Sequence, residues 1–357
     1  MQDRLEALRE SLSEAGCDAF VSLAPPTNQY LAGFRGTTSG MIVTPGKALF
    51  LCDSRYTEQA GAQVKTCEVV ELKGAFAAAT GAKLAELRLK KVAFEPTYVT
   101  VDTLNALKKG FDGELVPVDG LVTGLRIRKS PEEVDLIRSA SQLAERVLLD
   151  VIEELEPEVS ERETAARIEY EFKRRGASGA SFDTIGLFGA HSSLPHGEPG
   201  DQALSAGDIV LLDMGCRREG YCSDLTRTYA FGTIPGIWFE AIYNTVLEAQ
   251  QRALEAVRPG ISCKEVDAVA RRIIGEAGYG EYFGHGLGHG VGIEIHEAPR
   301  LNPESETVLE AGMVITIEPG IYLPGQGGVR IEDLVVVTEG GCEILTSTPK
   351  NLRIIAA

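Results

Sequence analysis

The sequence contains no apolar run approaching the ~18 residues that a membrane-spanning helix needs, and its first residues do not resemble a signal peptide. MQDRLEALRESLSEAG instead mixes both charge signs around an apolar stripe, the pattern of an amphipathic helix. Cysteine is scarce. Seven residues, an odd number with no CxxC, offer neither a disulfide framework nor a zinc knuckle. Cys216 and Cys222 flank one hairpin turn and read as free thiols. These features point to a reducing cytoplasm. Positive charge is in deficit too: 35 Lys plus Arg stand against 52 Asp plus Glu, a net charge of −17. Nucleic acid and anionic membrane surfaces reward clustered Lys and Arg, so neither is expected as a partner. Among chemistry-bearing residues histidine is scarce, with five in the chain and none before His191.

What is present describes a folded chain. At 357 residues, 44% hydrophobic and 24% charged, it has room for two domains with buried cores. Residues 1–124 alternate helical and strand patterns. The helix Gln2–Ala15 leads into Asp18-Ala-Phe-Val-Ser-Leu, and Pro45-Gly46 separates two apolar runs as in a hairpin. Glu68-Val-Val-Glu-Leu, a helical stretch 75–89 and Lys91-Val-Ala-Phe complete an α/β domain without a chemical cluster. A linker over 125–130 follows, and Ser130-Pro-Glu-Glu opens a helix with proline and acids in its first turn.

From 131 to 357 the chain repeats itself. Pro157-Glu-Val-Ser160-Glu-Arg-Glu163 matches Pro259-Gly-Ile-Ser262-Cys-Lys-Glu265 at an offset of 102, each carrying the Ser-x-x-Glu capping box. Each helix stops at a glycine, Gly176 and Gly278, at the same offset. Ala206-Gly-Asp-Ile-Val-Leu-Leu-Asp213 then aligns with Ala311-Gly-Met-Val-Ile-Thr-Ile-Glu318 at an offset of 105. The expectation is a mixed α/β (α+β) chain whose second domain has two halves about a pseudo-twofold axis, with a site between them.

The repeat sets Asp213 and Glu318 at equivalent strand ends, each followed by a second strand bearing an acid, Asp224 or Glu332. A two-residue turn at Arg218-Glu219 would put Asp213 directly opposite Asp224. Like charges so close repel unless a cation lies between them. His289, in the glycine-rich Phe283-Gly-His285-Gly-Leu-Gly-His289-Gly-Val-Gly, is suited to complete a metal shell, because glycine lets backbone approach a ligand. His196 and His296 lie in Leu-Pro-His-Gly-Glu and Ile-His-Glu-Ala-Pro-Arg; His191 reads as surface or supporting. Four carboxylates and one imidazole form a hard, oxygen-rich set that favours Mn2+, with Co2+, Fe2+ and Zn2+ as further candidates. Two ions in such a site imply metal-assisted hydrolysis.

The ordered segments LLDMGCRREGYCSDLTRTYAFG, HGLGHGVGIEIHEAP, VITIEPGIY and GGVRIEDLVVV resemble the pita-bread metallopeptidases, specifically the prolidase and aminopeptidase P branch. The preceding domain is similar to a creatinase-type N-terminal domain. The resemblance implies metal ligands Asp213, Asp224, His289, Glu318 and Glu332, with Asp213 and Glu332 bridging two divalent ions. It implies a bridging hydroxide that attacks the carbonyl before proline, with Glu318 relaying its proton. His196, His285, His296 and Arg330 match positions that contact substrate or stabilise the developing oxyanion. It further implies a homodimer in which Gly33-Phe-Arg-Gly-Thr-Thr is a candidate lid over the neighbouring site.

Within the branch, Arg300 matches a prolidase position that binds the free carboxylate of a dipeptide, which a guanidinium grips bidentately. The expected activity is therefore Xaa-Pro dipeptide hydrolysis. Aminopeptidase P action on longer proline-containing peptides is the first alternative, and a non-catalytic pita-bread binding protein the alternative of another class. Methionine aminopeptidase usually lacks the N-terminal domain, and creatinase lacks the metal chemistry that all five ligand positions retain here.

Overall fold

Six of the apolar runs in the N-terminal part pair into one sheet in the computed structural model, which describes residues 2–357. Met1, where the expected first domain begins, lies outside the described residues. The strands are β1 (Ala19–Ser22), β2 (Ser39–Val43), β3 (Ala48–Cys52), β4 (Glu68–Glu71), β5 (Lys91–Phe94) and β6 (Glu114–Pro117), in the order β4-β3-β2-β1-β5-β6. Pro45-Gly46 does turn a hairpin: Val43 faces Ala48 across an antiparallel pair. The pairs β3–β4, β1–β5 and β5–β6 are parallel, and parallel strands need crossovers such as the helices Thr57–Gln63 and Val101–Gly110. In the segment named as a candidate lid, Phe34 is buried with its ring centroid 4.8 Å from that of Phe50, which anchors that segment. The chain divides after Arg126, so this unit is Met1–Arg126 and the second is Ile127–Ala357.

The second unit begins with the helix Pro131–Glu153, capped reciprocally by Ser130 and Glu133. Its strands are β7 (Gly179–Ala180), β8 (Ile185–Phe188), β9 (Ile209–Met214), β10 (Cys216–Arg218), β11 (Tyr221–Cys222) and β12 (Leu225–Phe231) in the first half. The second half has β13 (Gly288–Gly290), β14 (Glu297–Leu301), β15 (Val314–Ile317), β16 (Gly320–Leu323), β17 (Gly327–Arg330), β18 (Asp333–Thr338) and β19 (Gly341–Ile344), with β20 (Ile354–Ile355) returning to β12.

The duplication extends to individual hydrogen bonds. Ser160 and Ser262 both complete capping boxes, on the helices Glu161–Arg174 and Cys263–Glu276. Gly176 and Gly278 both take the left-handed conformation after them, at φ of 94° and 88°. Glu158 N donates to Leu204 O at 2.9 Å, and Gly260 N to Leu309 O at 2.9 Å. Each half buries its own apolar core: Val147, Phe172, Val210 and Leu212 in the first, Val246, Val266, Ile315 and Val335 in the second. Between them Arg227, 1% exposed, donates from Nη1 to the carbonyls of both Thr226 and Glu332 and from Nη2 to Asp333 at 2.8 Å.

One expectation fails by a single step. The turn after β10 is Glu219-Gly220, both at positive φ, as a two-residue hairpin loop of type I′ requires. Arg218 therefore faces Tyr221, and further along the ladder Asp213 faces Thr226, not Asp224. Gly220 tolerates the positive φ without steric cost and captures the turn, which Arg218-Glu219 does not offer. Sliding by two positions preserves side-chain parity, so Asp213 and Asp224 still share a face as diagonal neighbours.

Candidate metal centre

Asp213 is the penultimate residue of β9 and Asp224 immediately precedes β12. The chain between them passes so closely that a Cβ on Gly215 would lie 2.0 Å from Ser223 O, which only glycine permits. Glu332 sits between β17 and β18, and Glu318 directly follows β15. The Ile317–Asp333 pair that ends this ladder corresponds to Leu212–Arg227 in the first half, and Glu318 and Glu332 are the next residue along each strand. Glu332 is thus the counterpart of Thr226, correcting the expectation that it repeats Asp224. The two equivalents touch: Thr226 Oγ1 donates to Glu332 Oε2 at 2.7 Å.

Carboxylate oxygens of Asp213, Asp224 and Glu332 lie within 4.8 Å of one another. His289 Nε2 lies 3.5 Å from Asp224 Oδ2 and 3.4 Å from Glu318 Oε1. Its Nδ1 lies 3.1 Å from Gly290 O; a carbonyl can only accept, so Nδ1 carries the hydrogen and Nε2 presents its lone pair to the acids. Burial drives the His289 pKa down to about 3, so the ring is neutral. The glycines beside it serve packing more than ligand access. A Cβ on Gly288 would lie 2.1 Å from Thr316 O on the neighbouring strand.

The acids respond oppositely. Burial, followed by the charges of Glu332, Asp213 and Glu318, pushes Asp224 well above the usual carboxylate range. Burial and the charges of Glu318 and Asp213 do the same to Glu332. Glu318 is pushed up to about 7 by burial, against the lowering field of Arg330. Asp213 Oδ2 accepts from Arg330 Nη2 at 2.5 Å, while its buried Oδ1 has no hydrogen-bond partner among the described residues. Clustered repelling acids, an unpartnered buried oxygen and an imidazole lone pair aimed among them fit divalent cations.

A cavity of about 640 Å³ is lined by all ten residues singled out from sequence: Asp213, Asp224, His289, Glu318 and Glu332, with His196, His285, His296, Arg300 and Arg330. Arg300 is exposed, and its guanidinium makes no hydrogen bond or ion pair among the described residues. His296 is exposed too, its ring edge-on to His289 at 4.4 Å. His285 Nδ1 donates to Gly286 O at 2.8 Å, leaving Nε2 to accept from the Tyr322 hydroxyl at 3.1 Å. Tyr322 in turn accepts from Arg330 Nη1 at 2.7 Å, so Arg330, Tyr322 and His285 form one directional chain.

Tyr322, Thr226 and Thr316 were not singled out from sequence. Thr316 Oγ1 donates to Glu318 Oε1 at 3.0 Å and accepts from His289 N at 3.0 Å, tying two of the candidate ligands together. Their signal was positional: all three lie inside segments that carried the resemblance, but as neutral polar residues they looked generic. His191 does not line this cavity; its ring meets the buried Glu161.

The model of metallopeptidase family M24 matches residues 135–339, and that of the creatinase/prolidase N-terminal domain matches residues 4–128. A Xaa-Pro dipeptidase of Pyrococcus furiosus is 41% identical over 99% of this chain and 100% of that protein. Among solved structures, a Xaa-Pro dipeptidase from Bacillus anthracis superposes with a TM-score of 0.95 at 41% identity, covering 99% of each chain. An X-Pro aminopeptidase from Thermotoga maritima gives 0.90 at 37% identity, covering 97% of this chain and 100% of the other.

Proposed function

The chain belongs to metallopeptidase family M24, and from that premise we propose that it is a Xaa-Pro dipeptidase working with two divalent metal ions. The observation that carries the reading is the placement of one unpaired guanidinium, Arg300, on the wall of the cavity that holds the acid cluster. Asp213, Asp224, His289, Glu318 and Glu332 would hold the ions, with Mn2+ the best match to their hard donors. Bound there, the ions supply Lewis acidity and an activated water for hydrolysis.

The chain's own residues do the rest. Thr316 holds Glu318 Oε1, leaving Oε2 to receive a proton from the attacking water and pass it to the leaving nitrogen. His196 and His296 face the cavity as donors for the developing oxyanion. Arg330 and Tyr322 fix the ring of His285, whose role is to orient substrate. Phe182, Ile185 and Ile295 give an apolar wall suited to a pyrrolidine ring. Arg300 would clamp the C-terminal carboxylate of a dipeptide.

A second reading, removal of an N-terminal residue from longer Xaa-Pro peptides, draws on the similarity to the Thermotoga maritima X-Pro aminopeptidase. A metal-reconstituted assay with a Xaa-Pro dipeptide and a Xaa-Pro-Yaa tripeptide separates the two. The dipeptide is expected to be the better substrate; a strong preference for the tripeptide would replace the first reading by the second. We also propose a cytoplasmic homodimer; sedimentation of the purified chain tests the assembly.

A further inference from the structure

Away from the cavity, one buried carboxylate is surrounded by donors. Glu161 opens the helix Glu161–Arg174 with its side chain 0% exposed. Oε1 accepts from Phe188 N at 2.8 Å and Oε2 from Gly200 N at 2.8 Å. His191 Nδ1 lies 2.9 and 2.8 Å from the two oxygens, and since they accept, Nδ1 carries the hydrogen. Phe188 and Gly200 are the two ends of a loop, so a single carboxylate fastens its base. That loop carries Pro195, whose carbonyl accepts from Arg330 Nη1 at 3.3 Å, and His196 on the cavity wall. Its far side is pinned by Ser192, whose hydroxyl accepts from Gly328 N at 2.9 Å.

The duplication supplies an internal control. The counterpart of Glu161 is Cys263, which opens its helix behind the same capping box. Backbone pairing at this point is also the same: Glu161 N donates to Gln202 O at 3.1 Å and Cys263 N to Thr307 O at 2.8 Å. Starting this helix and docking it on the neighbouring segment therefore require no carboxylate. A buried carboxylate is costly unless every lone pair is used, and in the first half its bonds all go to the loop.

We propose that Glu161 and His191 form a clasp that positions the loop between Phe188 and Gly200, and through it His196 and the Pro195 carbonyl. Both are positioning residues, and the inference rests on His196 acting on substrate. Glu161→Gln keeps the shape, but its amide nitrogen must face one of the donors, turning an accepted bond into a donor–donor contact. His191→Ala removes one donor and leaves the two backbone bonds, so its effect is smaller.

The test combines kinetics with hydrogen exchange on the Mn2+-loaded protein. Wild type, His196→Ala, Glu161→Gln and the double variant are compared on a Xaa-Pro dipeptide, with bound metal measured alongside. Glu161→Gln is expected to lower kcat/KM by about 10–100-fold, as misplacing a group remote from the chemistry does. Metal content should be unchanged, and the loss should be largely absent in the His196→Ala background. Amides between Gly189 and Gly200 should lose protection. Equal losses in both backgrounds, or a loss that tracks lost metal, would overturn the clasp, as would unchanged protection. If Glu161→Gln does not fold, His191→Ala carries the same test, with a smaller and again sub-additive loss expected. A wild type inactive on the dipeptide would instead refute the functional reading, and the exchange experiment would still decide whether the loop is clasped.

Discussion

In the first half of the catalytic unit the β9–β12 ladder sets Thr226 against Asp213; in the second half the position equivalent to Thr226, next to the Ile317–Asp333 pair, is Glu332. Where the second half has His289 approaching its acid, the first has Leu187, paired with Leu211 on the same scaffold position. Backbone hydrogen bonds, caps and helix stops match closely between the halves, whereas the side chains at the axis do not. Duplicated strands deliver equivalent positions to one place, and substitution there divides the work. The first half contributes two acids and a hydroxyl that holds Glu332; the second contributes two acids and an imidazole.

The largest effect should come from making the halves alike. Glu332→Thr copies the first half into the second and removes an acid from the cluster. Bound metal and dipeptide hydrolysis should both be lost, read by metal analysis and a proline-release assay. Retained metal and activity would mean that the asymmetry is incidental. Glu318→Gln keeps the shape but cannot take up a proton, and kcat should fall by about 10²–10⁴-fold.

Arg300→Ala sharpens the comparison on the substrate side, because Arg300 too belongs to the second half. It should weaken kcat/KM for Xaa-Pro dipeptides by about 10–100-fold, the worth of a charge-assisted pair, and spare Xaa-Pro-Yaa tripeptides. Equal effects on both would remove the carboxylate clamp. Thr226→Val tests the contact across the axis; losing its bond to Glu332 should cost about tenfold in metal affinity, measured by competition with a chelator.

The smallest effect is a pH dependence of the metal-stripped protein. Glu318 has a folded pKa of about 7, above the ordinary 4.5, so the folded state keeps a proton that the unfolded chain releases. This stabilisation is complete below about pH 4.5 and lost as pH rises through 7, and the raised Asp224 and Glu332 act in the same direction. The Tm of stripped protein should therefore fall between pH 5 and about 7.5, and Mn2+ should abolish the fall. A stripped protein whose Tm rises over this range would contradict the burial of these acids.

Much of this was legible in the sequence because it rests on local rules. Capping boxes at Ser160 and Ser262 and the glycine stops at Gly176 and Gly278 are short-range signals, and they exposed the duplication. The acids stood out because each interrupts an apolar strand. Register was harder: Arg218-Glu219 and Glu219-Gly220 compete as turns, and the choice moved Asp213 from Asp224 to Thr226. Period-two alternation rescued the grouping, since a slip of two keeps every side chain on its face. Thr226, Thr316 and Tyr322 were missed for the same reason as the Glu161–His191 contact. Each acts through a partner distant in sequence, and a neutral hydroxyl or a single acid at a helix start carries no local mark of that partner.

The most direct test is a titration of chelator-stripped protein with Mn2+, following hydrolysis of a Xaa-Pro dipeptide against ions bound per chain. No hydrolysis is expected without metal, and activity should reach its plateau at two ions per chain. Hydrolysis by the stripped protein, or none at any Mn2+ loading, would contradict the two-metal reading.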